Sequence, residues 1–226
     1  MATTITPPHV VPGLYWRSRG PRNLRVYYQP GQDGGGTWFG QEYVAVVAER
    51  YRKRFKTCFE WCAGPGFIGY SLLDHGLCDR LVLADCYPPA VAAAQETASD
   101  SYNSIQDCVA IYQSRTIRDL PQTQPFDLVV GNPPHFYHPP ENDQYERLDC
   151  DPGWSTHQEF FANIGTRLAD DGMILLQENW VGSQPETFLP WIDTAGLRMR
   201  DWWRSKAWFH EGQNCQIYYM EIEKAK

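Results

Sequence analysis

No stretch of this 226-residue chain approaches the roughly 18–20 consecutive apolar residues of a membrane span, so an integral membrane protein is not expected. Residues 1–13 (MATTITPPHVVPG) lack a basic patch followed by an apolar core, which argues against secretion. Cysteines are present, but the seven are odd in number and scattered over positions 58, 62, 78, 86, 108, 150 and 215. With no Cys-x-x-Cys among them, neither a zinc ribbon nor a disulfide framework is signalled. The expectation is a reduced, cytoplasmic protein. Positive charge is in deficit, 20 Lys plus Arg against 27 Asp plus Glu, for a net charge of −7. An acidic surface repels phosphate backbones, so no nucleic-acid partner is expected. Internal repeats are missing as well. What is abundant is aromatic residues, 14% of the chain including nine tryptophans, most of them expected in the core and some as candidates to line a pocket.

Residues 1–55 read as an N-terminal extension or lid, rich in Pro and Gly at first. A strand-like piece at 24–28 and a glycine run at 31–36 precede Thr37, a candidate N-cap. Phe39, Tyr43, Val46, Val47 and Tyr51 then recur at helical spacing, predicting a helix over 38–54. From 56 onward strands alternate with helices. Strands are expected at 57–61, 81–84, 109–112, 126–130 and 173–176, with helices at about 67–75, 88–100 and 185–195. A Pro- and Asp-rich loop runs to about Gly153. Ser155-Thr-His-Gln158 reads as a capping box opening a helix with Phe160, Phe161, Ile164 and Leu168 on its apolar face, ended by Asp171-Gly172. Two closing strands, 197–209 and 215–223, are joined by a turn at 210–214. The alternation predicts a single Rossmann-like, doubly wound α/β domain over 56–226, mostly parallel, with one antiparallel strand from the terminal hairpin.

Gly64-Pro-Gly66-Phe-Ile-Gly69 satisfies GxGxxG between a strand and a helix, where glycines admit a ligand to the backbone and the helix N-terminus faces it. Asp85, at the next strand end, stands where an acid holds ribose hydroxyls. The competing interpretation is a tight turn with no ligand. A nicotinamide-dependent oxidoreductase would rest on the glycine pattern alone. Glu60 argues against it, because a carboxylate at the lip of the loop repels a pyrophosphate. It suits instead a cationic ligand portion, such as the ammonium of an amino acid. S-adenosylmethionine carries that ammonium and a ribose, and no phosphate.

Phe59-Glu-Trp-Cys-Ala-Gly-Pro-Gly66, Leu83-Ala-Asp85 and Asp127-Leu-Val-Val-Gly-Asn-Pro-Pro-His135 resemble the first, second and fourth motifs of class I S-adenosylmethionine-dependent methyltransferases. The likeness runs from about 57 to 224, since the terminal hairpin also suits that fold's reversed last strand. It implies a seven-stranded sheet. It also implies that Glu60, Ala63, Gly64 and Gly66 contact the methionine end of the cofactor. Asp85 would hold the ribose, Cys86 would lie near the adenine edge, and Ser114 with Thr116 would follow the next strand. The acid usual at that last position is missing here.

In amino-methylating relatives, Asn-Pro-Pro is followed by Tyr, Phe or Trp, and the Asn oxygen with a Pro carbonyl aims an amine at the sulfonium methyl. The resemblance therefore places Asn132 and Pro133 in catalysis, and Asn132 also beside the cofactor. This sequence departs by putting His135 in the aromatic place; imidazole can stack, or remove a proton near neutral pH. A loop histidine without chemistry is the bland alternative. His135 and His138 are three apart in a proline-rich loop with no further ligand nearby, so no metal is expected. Trp38, Phe39, Phe136, Tyr137 and Trp180 are the candidates for an aromatic pocket around a desolvated cation, against ordinary core packing for each.

The leading expectation is S-adenosylmethionine-dependent N-methylation of a small-molecule amine. A second keeps the cofactor but consumes it, as in the azetidine-2-carboxylate synthases that share this fold: the α-amine attacks the γ-carbon and methylthioadenosine leaves. Methylation of a protein or nucleic acid is a third. Oligomeric state is not legible in the sequence.

Overall fold

Strands buried on both faces read as unbroken apolar runs, and runs of this kind build the centre of the sheet. The computed structural model describes residues 14–32, 36–121, 125–137, 149–205 and 216–225. Its main sheet comprises β3 (Phe55–Trp61), β4 (Cys78–Asp85), β5 (Val109–Gln113), β6 (Phe126–Gly131), β7 (Leu168–Asn179), β8 (Leu197–Arg204) and β9 (Ile217–Lys224). These seven strands lie in the order β5-β4-β3-β6-β7-β9-β8. β3 to β7 pair in parallel, and β9 runs antiparallel between β7 and β8. The doubly wound, mostly parallel sheet with its reversed C-terminal strand is therefore as the sequence leads one to expect.

Five helices cover the two faces: α1 (Gly36–Tyr51), α2 (Phe67–Asp74), α3 (Pro88–Ser99), α4 (Ser155–Ile164) and α5 (Pro185–Thr194). Alternate strand residues supply the two cores. Leu81, Leu83, Leu128, Val130 and Leu175 pack with Tyr43, Val47, Leu72 and Ala94 of α1–α3. Phe59, Val129, Ile174, Leu176 and Ile222 pack with Phe160, Phe161 and Phe188 of α4 and α5.

The segment before α1 forms a short antiparallel pair, β1 (Tyr15–Arg17) with β2 (Arg25–Tyr27). Three-residue strands are too short to show a period, which is why β1 escapes the sequence reading. The pair is tied to the main body by hydrogen bonds. Tyr27 N–H donates to Thr97 Oγ1 on α3 at 2.9 Å, and buried Asp74 accepts from the backbones of Gly20 (2.9 Å) and Arg22 (2.8 Å) and from Ser18.

Two local expectations are corrected. Asp171-Gly172 does not end α4: the helix stops at Ile164, Leu168 opens β7, and Asp171-Gly172 sits inside that strand. The ladder slips there, from Phe126 opposite Leu168 to Leu128 opposite Met173, so a glycine that reads as a stop absorbs an irregularity. Nor does Ser155 cap α4. Asp151 does, its carboxylate accepting from the N–H groups of Thr156 (2.9 Å) and His157 (3.0 Å) and from the Ser155 hydroxyl (3.2 Å). The turn at 210–214, Trp208, His138 and most of the Pro- and Asp-rich loop lie outside the described residues. No helix among the described residues is long and apolar enough to cross a membrane.

Candidate active site

Strand order reverses between β3 and β6, since β4 and β5 lie on one side of β3 and β6 and β7 on the other. Open α/β sheets form their ligand crevice at such a point, beyond the strands' carboxyl ends. A cavity of about 340 Å³ opens there, within the roughly 300–1,000 Å³ of small-molecule sites. Its wall comes from the loop after β3, the ends of β4 and β5, the turn after β6, and Gly31, Gln32 and Gly36 of the N-terminal segment.

The glycine loop has two distinct demands. Gly66 caps α2 with φ 86°, a conformation L side chains rarely adopt. Gly69 admits a carboxylate: a Cβ there would stand 2.6 Å from Glu60 Oε2, which accepts the Gly69 N–H at 2.7 Å. Glu60 is 2% exposed, and burial, with the Asp85 charge adding to it, pushes its carboxyl up to about 8 against the opposing N–H groups of Gly69 and Ile68. Asp85 spans the same edge. Its Oδ2 accepts from Gly64 N–H at 2.7 Å and its Oδ1 from Tyr87 N–H at 2.8 Å, and burial raises its pKa.

Asn132 follows β6 directly. Its Oδ1 is buried at the cavity wall with no hydrogen-bond partner among the described residues, and the side-chain nitrogen of Gln32, in the same wall, is in the same condition. A buried amide group without a partner costs roughly 1–3 kcal/mol, and at these two positions the cavity leaves room for a ligand's polar group to supply one.

Glu60, Ala63, Gly64, Asp85, Cys86, Ser114, Asn132, Pro133 and His135, far apart in sequence, thus share one wall. Gly66 does not reach it; Leu83 and Tyr70 fill the space beside its Cα. Ser114 turns its hydroxyl to the Thr116 carbonyl at 2.8 Å, and the Thr116 hydroxyl meets Glu159 of α4. The aromatic roster is corrected. Trp38, Phe39, Phe136, Tyr137 and Trp180 are not in the wall, whereas Trp61, Phe67 and Tyr87 are. Phe39 is turned inward on α1, and Trp180 packs between Trp202 (5.5 Å) and Tyr218 (5.7 Å) over the terminal strands. Trp61 and Phe67 escaped notice because each reads as core; their position flanking the glycine loop was the available signal.

Sequence reasoning also missed a buried chain of side chains behind His135. His135 Nδ1 lies 3.3 Å from Glu178 Oε2, Glu178 Oε1 lies 3.0 Å from His157 Nε2, and His157 Nδ1 lies 2.7 Å from Asp151 Oδ2. Glu178 sits at the carboxyl end of β7, where an acid could have been suspected. His157 pairs with it only through the packing of α4. Among the described residues no three His, Cys, Asp or Glu side chains converge as a metal-ligand set.

No family model matches the sequence, and no characterised protein matches it by sequence. Solved structures do match. A ribosomal protein L11 methylase from Lactobacillus delbrueckii subsp. bulgaricus is 13% identical with TM-score 0.56, over 89% of this chain and 82% of that one. A SAM-dependent methyltransferase from Leishmania major is 14% identical with TM-score 0.61, over 85% and 74%. A TehB-like SAM-dependent methyltransferase from Corynebacterium glutamicum is 15% identical with TM-score 0.52, over 80% and 87%. At these identities the likeness is one of architecture: the chain has the class I methyltransferase fold.

Proposed function

We propose that this chain binds S-adenosylmethionine and methylates an amine nitrogen of a small molecule. The observation that carries the proposal is the Asn132 Oδ1, buried and without a partner among the described residues, in the lining of a cavity that also holds the glycine loop, Glu60 and Asp85. An amide oxygen kept out of water and left unpaired is placed to accept from an N–H donor. The residues fit the cofactor. Glu60 faces the ammonium end, Gln32 offers a donor to a carboxylate, and Asp85 offers carboxylate oxygens to ribose hydroxyls. When bound, the cofactor supplies an electrophilic methyl group. The protein's part is orientation: Asn132 and the Pro133 carbonyl hold the acceptor, a contribution of several kcal/mol without a strong base. Among the described lining residues Arg115 is the one Lys or Arg, which suits a small acceptor better than a phosphate backbone.

A second reading, consumption of the ligand by its own amine to give azetidine-2-carboxylate, has one observation on its side. The Glu60 carboxyl, pushed up to about 8, is a better proton acceptor for an ammonium than an ordinary carboxylate. The deciding experiment incubates purified protein with S-adenosylmethionine, with and without candidate amines, and identifies the nucleoside formed. S-adenosylhomocysteine appearing only with an amine supports methyl transfer. Methylthioadenosine formed without any amine, in step with a four-membered imino acid, supports the second reading. Neither nucleoside, together with no calorimetric binding of S-adenosylhomocysteine, refutes both.

A further inference from the structure

The chain His135–Glu178–His157–Asp151 begins at the cavity and ends at the cap of α4. Its inner members are completely enclosed: Glu178 and His157 are 0% exposed and Asp151 is 1% exposed. The His157 ring is boxed by Phe188, stacked at 4.7 Å, and by the edges of Trp61 and Trp154, each at 5.2 Å. Each of its two nitrogens meets a carboxylate oxygen. A carboxylate can only accept, so both nitrogens must donate, and His157 is an imidazolium. The electrostatics agree. Burial opposes the charge, but Glu178 and Asp151 together raise the His157 pKa, while the histidines lower the pKa of both acids despite their burial. Two carboxylates around one imidazolium leave a net charge of −1. The other groups facing Glu178, the Tyr43 and Tyr218 hydroxyls and the Cys62 thiol, are kept neutral because burial pushes their pKa values up.

That residual charge is directed. Glu178 Oε1 is committed to His157, so Oε2 is the oxygen that meets His135. Capping α4 explains Asp151, and neutralising Asp151 explains His157. Neither explains an acid whose free oxygen ends on a ring at the cavity wall. Asp149 also lines that cavity.

We infer that Glu178 is a positioning residue: it fixes His135 as the Nδ1–H tautomer, leaving Nε2 as a base for an acceptor amine that arrives as its ammonium. The inference rests on the amine reading above and adds to it. The acceptor N–H bond breaks, its electron pair stays on nitrogen, and the proton forms a new bond to His135 Nε2. The imidazolium so produced offsets the −1 charge behind it. Orientation by Asn132 requires a free lone pair, and an ammonium has none until this proton leaves.

The test is histidine-labelled 15N NMR of the full chain, which has six histidines, with His135→Gln identifying the relevant signals. In the unmodified protein neutral His135 is expected as Nδ1–H with unprotonated Nε2, the reverse of the tautomer a free imidazole side chain prefers. In Glu178→Gln a neutral amide replaces the carboxylate acceptor 3.3 Å from Nδ1, and the Nδ1–H share of the neutral His135 ring is expected to fall. An Nε2–H tautomer in the unmodified protein overturns the inference, and so does an unchanged tautomer ratio in a folded Glu178→Gln. Should that variant fail to fold, the tautomer in the unmodified protein decides alone. Calorimetry with S-adenosylhomocysteine addresses the cofactor assignment separately, and neither His135 readout depends on it.

Discussion

The Tyr43 hydroxyl of α1 donates to the Gly131 carbonyl at 2.6 Å, one residue before Asn132, and lies 3.2 Å from the Leu175 carbonyl of the next strand. The N-terminal segment thus holds the backbone from which Asn132 projects. Tyr43→Phe is expected to destabilise by about 1–2 kcal/mol in chemical denaturation, because a buried carbonyl loses its donor. It should also reduce turnover more than it reduces cofactor affinity. Equal losses in both would mean that Tyr43 only supports the fold.

Asn132→Ala should separate stability from activity. Removing a buried oxygen that has no partner relieves a cost, so the ligand-free variant is expected to be as stable as the unmodified protein, or up to about 1 kcal/mol more so. Turnover should fall at least about a hundredfold, roughly 3 kcal/mol of transition-state stabilisation. Denaturation and steady-state kinetics on the same preparation check both halves. A destabilised variant with preserved turnover would assign Asn132 to the fold.

Asp85 Oδ2 already accepts the Gly64 N–H, so the proposed ribose contact would share this side chain with the loop. Asp85→Ala is expected to weaken S-adenosylhomocysteine binding by roughly 1.5–3 kcal/mol, and Asp85→Asn, which keeps an acceptor, by less. Calorimetry of the two variants tests this. Unchanged affinity in a folded Asp85→Ala contradicts the ribose assignment.

Glu60 makes stability depend on pH in a defined sense. Its folded pKa, about 8, lies above the value of an ordinary glutamate, so the folded chain holds a proton that the unfolded chain has lost between those two values. This contribution is fully present below the unfolded value and declines as pH rises toward 8. In Glu60→Gln the ligand-free protein should therefore lose less stability between pH 5 and pH 8, measured by thermal unfolding. A cationic ligand favours the carboxylate, so binding at pH 7 should release close to one proton, read as buffer-dependent calorimetric heat. No release would place the ammonium elsewhere.

Asp151 joins the α4 cap to the buried imidazolium of His157. Asp151→Ala strips one partner from a buried charge and is expected to cost roughly 3–5 kcal/mol. The pH sense has two sides. The acids, with lowered pKa values, stabilise above their unfolded values and lose this as pH falls. His157, with a raised one, stabilises below its unfolded value and loses this as pH rises. Glu178 with His157, and Glu60, keep their share of the pH dependence, so the variant's denaturation free energy should be less steeply domed than the unmodified protein's, and an unchanged profile would refute the assignment.

The sheet was legible because its information is local. Apolar runs such as Leu81–Ala84 and Phe126–Val130 end in the acids, glycines and Asn-Pro-Pro that mark strand ends, and parallel alternation brings those ends to one edge. Glu60, Asp85 and Asn132 could be singled out for that reason. The helix stop at Asp171-Gly172 was misread by the same local rule, since a glycine that ends a helix is indistinguishable in sequence from one that relieves a strand irregularity.

The order of strands, the glycine loop and the residues at the β3 and β6 ends were thus determined by the sequence itself, through turn chemistry and the period of the apolar pattern. Which aromatics border the cavity was decided only in three dimensions. Trp61 and Phe67 read as core, and Trp180 reads as a strand-end candidate until it packs against Trp202 and Tyr218. The chain from His135 to Asp151 likewise exists only in the tertiary structure. Its members come from the turn after β6, the approach to α4, α4 itself and the end of β7. Hydrogen bonds of about 3 Å between such segments carry no periodicity and leave no pattern in the sequence; only the packing of α4 against the sheet brings His157 between its two acids.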